Sequence, residues 1–273
     1  MKLITSCVTH KSVPIQESLR FDNHSFDEWY ANVLASPTKV RAADLYKGAY
    51  WKIFKELYDS CDHDAFVISA GCGLININEE IPPYAITFGH PHSRVPCVEY
   101  PSVWWNQLCE ASEFSLRDLV DDVCLIALGP TYLDAVKSQL QDNHWVITSD
   151  SKVSKNLPNT IITTKKYRYA AGNNGGDHTT HVRAMKDIVN AGCATIKEAR
   201  ELIQEIENAA PINKVHNRIR YDDAHMINMI KNELLLNPLA TGSSLIEKFR
   251  ASNIKMSSIR MPKLFKIATS DIS

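Results

Sequence analysis

The chain has 273 residues, 44% of them hydrophobic, and a formal net charge of −1. That is enough apolar material to bury a proper core in one large or two smaller domains, and no run approaches the ~18 apolar residues of a membrane helix. The opening MKLITSCVTHK is too short in its apolar part for a secretion signal, so a cytoplasmic protein with no membrane partner is expected.

Seven cysteines (Cys7, Cys61, Cys72, Cys97, Cys109, Cys124, Cys193) make an odd, scattered set without a C-x-x-C pair. Neither a disulfide framework nor a zinc ribbon is indicated, and buried thiols are expected. The near-neutral total hides an asymmetry. Residues 155–273 hold 18 Lys+Arg against 11 Asp+Glu, whereas residues 1–154 hold 12 against 20. A basic C-terminal part points to an anionic partner, usually nucleic acid, or to ordinary solvated helix faces.

In chain order, KLITSCV reads as a first strand, and SFDEWYANVL as a helix with Ser25 and Glu28 at capping-box spacing. LYKGAYWKIFKELY places Tyr50, Phe54, Leu57 and Tyr58 on one helical face. AFVISAG, DVCLIALG, HWVITS and TIITTKK follow as strands too apolar to be half-exposed. Such runs interleaved with helices predict an α/β fold with a mostly parallel sheet covered by helices on both faces.

Near YRYAAGNNGGDHTTH (167–181) the pattern turns helical, with Thr195 and Glu198 as a second capping box. The expected division is therefore an α/β domain over 1–168 and a helical, basic part over 169–273. Within ATGSSLIEKFRASNIKMSSIRMPKLF (240–265), Ser243 and Ser257 read as starts of two short helices around a tight SNI turn, the outline of a helix-turn-helix. Arg250, Lys255, Arg260, Lys263 and Lys266 could meet phosphates there; a plain helical hairpin is the other reading.

In an open parallel sheet, ligands bind outside the carboxyl ends of the strands. The segments leaving the predicted strands are Ser6-Cys7 to Lys11, Ser69 to Tyr84 and Gly129 to Tyr132. Gly71 and Gly73 permit close backbone approach or positive φ, and Pro82-Pro83 stiffens the return of what reads as a long loop.

SCVTHK, LYKGAYW, VISAGCGLININEEIPPYAITF and ALGPTYL resemble the ordered motifs of bacterial and phage proteins labelled YaaA-like. That pattern runs S-C-x-x-x-K, then L-Y-x-G/S, then S-A-x-x-G-L-x-x-x-x-E-x-x-x-P-Y-x-x-T. The resemblance covers roughly residues 1–135 and implies an α/β domain associated with DNA or nucleobase chemistry. A looser resemblance is to bacterial DNA glycosylases that act against phages with modified bases. It implies removal or exchange of a base flipped out of double-stranded DNA. GHPHS (89–93) resembles the His-Pro-Ser loop of uracil-DNA glycosylases, with one residue inserted.

That chemistry needs a carboxylate to stabilise the sugar cation or activate water, and donors to hold the leaving base. Asp44 and Glu80 are the carboxylates expected to be catalytic. Ser6, Lys11, Tyr46, Lys47, Ser69, Gly71, Gly73, Asn76 and Tyr84 are expected to bind the substrate, with Tyr46, Tyr50 and Trp51 as stacking rings. Asp44 also reads as a helix cap, Glu80 as a solvated acid, and Tyr50 and Trp51 as core.

Other signals are weaker. Asp177, His178 and His181 have ligand-like types, but Asp177 or Thr179 reads better as a helix cap, so no metal is expected. GNNGG lacks the Gly-Lys-Ser/Thr of a P-loop, and no cofactor is expected. Trp104 and Trp105 cannot share one helical face, which leaves one as an exposed wedge or both as packing. Cys7 would be a nucleophile only with His10 or Lys11 as its base. A DNA glycosylase and a DNA-binding protein without turnover both fit; an enzyme of free nucleosides would leave the basic C-terminal hairpin without a role.

Overall fold

The computed structural model describes residues 1–21, 25–89, 96–149, 157, 159–164, 166–170, 177–210 and 218–271. GNNGG, and GHPHS apart from Gly89, lie outside the described residues. The chain divides into two compact units, Met1–Pro211 and Ile212–Ser273.

The first unit is α/β. Its six-stranded sheet comprises β1 (Lys2–Ser6), β3 (Asp64–Ser69), β4 (Gly73–Asn76), β6 (Cys124–Ala127), β7 (His144–Thr148) and β8 (Thr160–Ile162), in the order β4-β3-β1-β6-β7-β8. Every pairing is parallel except β3 with β4, which is antiparallel from Phe66↔Asn76 to Ser69↔Gly73. Among the five parallel strands alone, the second lies outside the first and the other three follow on its opposite side. The order therefore reverses between β1 and β6. β2 (Val40–Arg41) and β5 (Glu80–Ile81) form a separate antiparallel pair.

β1, β3, β6 and β7 are buried almost throughout, as parallel strands between helices must be. Helix α1 (Phe26–Ala35) begins at the Ser25–Glu28 capping box, and α7 (Ile196–Ala209) at the Thr195–Glu198 box. α3 (Ala49–Asp59) buries Tyr50, Trp51, Phe54 and Leu57, so Tyr50 and Trp51 are core. α4 (Pro101–Ser112) buries both Trp104 and Trp105; neither is an exposed wedge. α4 packs on α5 (Pro130–Val136) and β4, while α6 (Thr180–Asn190) packs on α3, α7, β6 and β7. Because α6 and α7 lie on this sheet, the expected division at 168/169 falls inside the first unit. A change of sequence periodicity there marks a change of element, not the end of the core.

The second unit is a small helical body: α8 (Asp223–Leu236), α9 (Gly242–Ala251) and α10 (Arg260–Ser270) around Met226, Ile230, Leu245, Phe249, Ile254, Met261 and Leu264. α9 is capped by Thr241, not Ser243. The chain from Ser252 to Ile259 is longer than the expected three-residue turn, with Asn253 left-handed at φ 59° and Ile254 paired with Ile219. Ser257 Oγ accepts from the amide of Arg260 at the start of α10.

Candidate functional site

Some of the sequence-predicted residues, Ser6, Lys11, Tyr46, Ser69, Gly71 and Tyr84, lie at or near the carboxyl ends of β1 and β3. After β1, the chain pairs antiparallel with the stretch following α2 (Ala42–Leu45): Lys11 bridges Tyr46, Ser12 N–H donates to Leu45 O (2.7 Å), and Lys47 N–H to His10 O (3.0 Å). This bridge sets Lys11 against Tyr46. Its Nζ lies 4.7 Å from the centroid of the Tyr46 ring and 4.5 Å from that of Tyr84, and donates to Val8 O at 2.5 Å.

A chain of hydroxyls runs beneath the lysine. Ser69 Oγ, at the end of β3, lies 2.7 Å from Tyr84 Oη, which lies 2.9 Å from Tyr46 Oη. The turn after Ser69 is tightly held. Gly71 and Cys72 N–H donate to Ser69 Oγ (3.3 and 3.0 Å), Trp104 Nε1 donates to Ala70 O, and Trp29 Nε1 donates to Gly71 O (both 3.0 Å). A methyl on Gly71 would sit 2.8 Å from the Tyr84 ring, so glycine is what lets that ring close on the turn. A second cluster spans the point where the strand order reverses. Cys7 Sγ lies 3.1 Å from Tyr132 Oη in α5, Tyr132 Oη lies 3.3 Å from Thr87 Oγ1, and Tyr50 Oη bonds Thr5 Oγ1 (2.6 Å) and Ala127 O (3.0 Å). Ligands of doubly wound sheets sit at such a reversal.

The electrostatics are unusual for a folded interior. Burial lowers the pKa of Lys11, and no carboxylate among the described residues is paired with it. Burial pushes the Tyr46, Tyr84 and Tyr132 phenols well above the ordinary tyrosine range, so all three are protonated hydroxyls. It likewise pushes the Cys72 thiol up to about 12. A dehydrated ammonium resting on aromatic faces, beside hydroxyl donors, suits an electron-rich or anionic ligand atom.

Lys11, Tyr46, Ser69, Gly71 and Tyr84 are thus brought together, and Ser6 ends β1 beside the Tyr50 hydroxyl. The other residues are not. Asp44 is half-exposed in α2, where its hydrogen bond to Arg41 Nε (2.8 Å) holds its carboxyl below the usual range. Glu80 is exposed on β5, in register with Arg41. The two acids therefore flank an arginine at the surface. Asn76 closes β4, its Oδ1 accepting from the Asn78 amide, and Lys47 is exposed. Gly73, at φ +83°, starts β4 beside Leu108 and Ser112 of α4.

The sequence does not single out Cys72; it puts Tyr132 in a segment leaving a strand and Glu79 among the carboxylates near the motifs, but marks neither as a site residue. Glu79 is an exposed residue, yet its surroundings strip enough water to raise its carboxyl pKa. The glutamate of the S-A-x-x-G-L motif falls on Glu79, not Glu80, and that spacing was the available signal. Tyr132 lay in ALGPTYL, directly after a predicted strand.

In the second unit, Arg260 is ion-paired with Asp223 (2.5 Å) and donates to Tyr221 O (2.8 Å), and Arg250 Nε donates to Met256 O (3.1 Å). Both brace the unit. Lys255 and Lys263 are exposed.

The model of a family of unknown function (DUF6884) matches residues 34–153, a span that holds Tyr46, Ser69, Tyr84 and Tyr132 but not Lys11. No curated protein and no solved structure matches the chain.

Proposed function

We propose that the chain is a DNA N-glycosylase-like enzyme that receives a modified base, flipped from duplex DNA, at the Lys11 cluster. The observation that carries this reading is the dehydrated Lys11 ammonium on the Tyr46 and Tyr84 rings, without a carboxylate partner among the described residues, at the carboxyl ends of β1 and β3. Cleavage of an N-glycosidic bond leaves negative charge on the departing base. A cation that is already desolvated stabilises that charge more in the transition state than in the ground state. Leaving-group stabilisation by Lys11 takes the place of a carboxylate role for Asp44 or Glu80, and the exposed Lys255 and Lys263 meet phosphates.

The test is incubation with unmodified and base-modified duplexes followed by alkali, which cuts at abasic sites. The parent releases base from a modified duplex, and Lys11→Met does so roughly 100-fold more slowly in single turnover. The melting temperature of the variant stays close to the parent's, because methionine keeps the aliphatic stem and Lys11 has no carboxylate partner among the described residues to lose. Equal rates, or a loss of rate only in step with stability, would overturn the role of Lys11. Absence of base release from any duplex favours a second reading, a DNA-binding protein without turnover. That reading is motivated by the surface position of Asp44 and Glu80 around Arg41.

A further inference from the structure

The second unit exposes aliphatic side chains that its own packing does not use. Leu234 turns into the core of the unit, but Leu235 and Leu236 at the end of α8 are 67% and 82% exposed, and Leu239 just beyond is 90% exposed. A single exposed leucine is ordinary; three this close in the chain make a patch.

Nearby, α9 and α10 part to leave a groove of about 550 Å³. Ile246, Met261, Pro262 and Phe265 give it apolar walls, and Ser243 and the exposed Lys266 line it as well. Leu239 stands two residues before Thr241, another lining residue, so patch and groove are neighbours along the chain. At its exposure Leu239 does not fill the groove of its own chain. The turn holds it there: Leu239 N–H donates to Asn237 Oδ1 (3.3 Å) and Ala240 N–H to Asn237 O (3.0 Å).

The two places also differ in charge. α8 has no basic side chain in its last turn, so its own helix does not neutralise the negative end of its dipole, and Glu233 in that turn is already paired with Lys248 (2.5 Å). α9 has no acidic side chain in its first turn, and that turn lines the groove together with the Lys266 ammonium. The leucines therefore sit at a negative helix end, and the groove beside a positive one.

We propose that the second unit is a pairing surface for a second copy of this chain, in which the leucines of each copy seat in the α9–α10 groove of the other. Because patch and groove lie a few residues apart, the exchange closes as a two-fold pair instead of running on as a filament. The leucines lose their contact with water, and the negative end of α8 meets the first turn of α9 and the groove ammonium. Three leucines and one groove make an interface at the small end of the standard range, so pairing is reversible, with a Kd in the micromolar range. Pairing needs neither base binding nor catalysis at the Lys11 cluster.

Sedimentation equilibrium of the full chain, from about 1 µM to about 500 µM, should show the mass rising from 30.7 kDa towards twice that value. Leu236→Lys with Leu239→Lys should weaken pairing at least about 100-fold, since buried leucines are lost and ammonium faces ammonium. Melting should hold, because both positions are exposed and a base suits the end of α8. Ser243→Glu suits the start of α9 in the same way but repels the incoming α8 end, and should weaken pairing about tenfold. Mixing the single variants Leu236→Lys and Ser243→Glu should give a mixed pair at least about tenfold tighter than either variant forms with itself. One of its contacts is native, and in the other the introduced ammonium meets the introduced carboxylate. A mass of 30.7 kDa at every concentration, pairing undiminished in the double lysine variant, or a mixture no tighter than its components would each overturn the proposal.

Discussion

At Gly71 the fold depends on the absence of a side chain. Its carbonyl is held by Trp29, its amide by Ser69, and the space where a Cβ would stand is filled by the Tyr84 ring at 2.8 Å. Neither the backbone nor a fully buried ring can move far, so Gly71→Ala should destabilise the protein by about 1–3 kcal/mol, read as a lower denaturation midpoint with unchanged m-value. A midpoint within error of the parent would mean that the Tyr84 ring can withdraw. Residue by residue, the clustering of Ser6, Lys11, Tyr46, Ser69, Gly71 and Tyr84 is legible in the sequence, because strand ends are readable and these residues follow them. Asp44 and Glu80 were misplaced because nothing in one sequence says that Arg41 stands between them. A carboxylate's partner is a tertiary fact.

Among elements, the five parallel strands could be read from their apolar runs. β4 could not. Its residues, Gly73–Asn76, sit in a stretch of Gly, Asn, Glu and Pro that reads as loop, and only pairing with β3 and cover from α4 make it a buried strand. The second unit shows the converse. Its two basic helices were legible, but the split between bracing and exposed cations was not. Arg260→Ala should lower the stability of that unit by about 1 kcal/mol, because a half-buried guanidinium loses Asp223 and the Tyr221 carbonyl. Lys255→Ala with Lys263→Ala should leave melting unchanged and flatten the salt dependence of DNA binding, by about 0.9 in slope for each phosphate that a lysine no longer neutralises. Titrations at several salt concentrations decide this; an unchanged slope in the lysine pair would remove these residues from the interface.

For the molecule as a whole, two histidines couple folding to acid. His144 in β7 and His181 in α6 are buried, and desolvation lowers the pKa of each to about 4. In each ring Nε2 has no partner among the described residues, and His144 Nδ1 accepts from the Gln141 amide, so His144 is neutral with its proton on Nε2. Unfolded histidine titrates near 6.5, so between about 4 and 6.5 the unfolded chain holds more protons than the folded one. Stability is therefore intact above about pH 6.5 and falls as the pH drops towards about 4. His144→Gln and His181→Gln should each reduce that fall, measured as chemical denaturation midpoints across the interval. A midpoint flat from about pH 7 to about 4.5 in the parent would refute the coupling.

The two indoles that hold the turn after β3 also give it an optical signature. All five tryptophans, Trp29, Trp51, Trp104, Trp105 and Trp145, are buried, so native emission is that of shielded indole and shifts to the red as the chain unfolds. Trp29 and Trp104 donate to the carbonyls of Gly71 and Ala70, two residues and one residue after Ser69. A local opening of that turn would change the emission of these two indoles in intensity or lifetime while the other three tryptophans stay shielded. The protein carries its own fluorophores beside the candidate site.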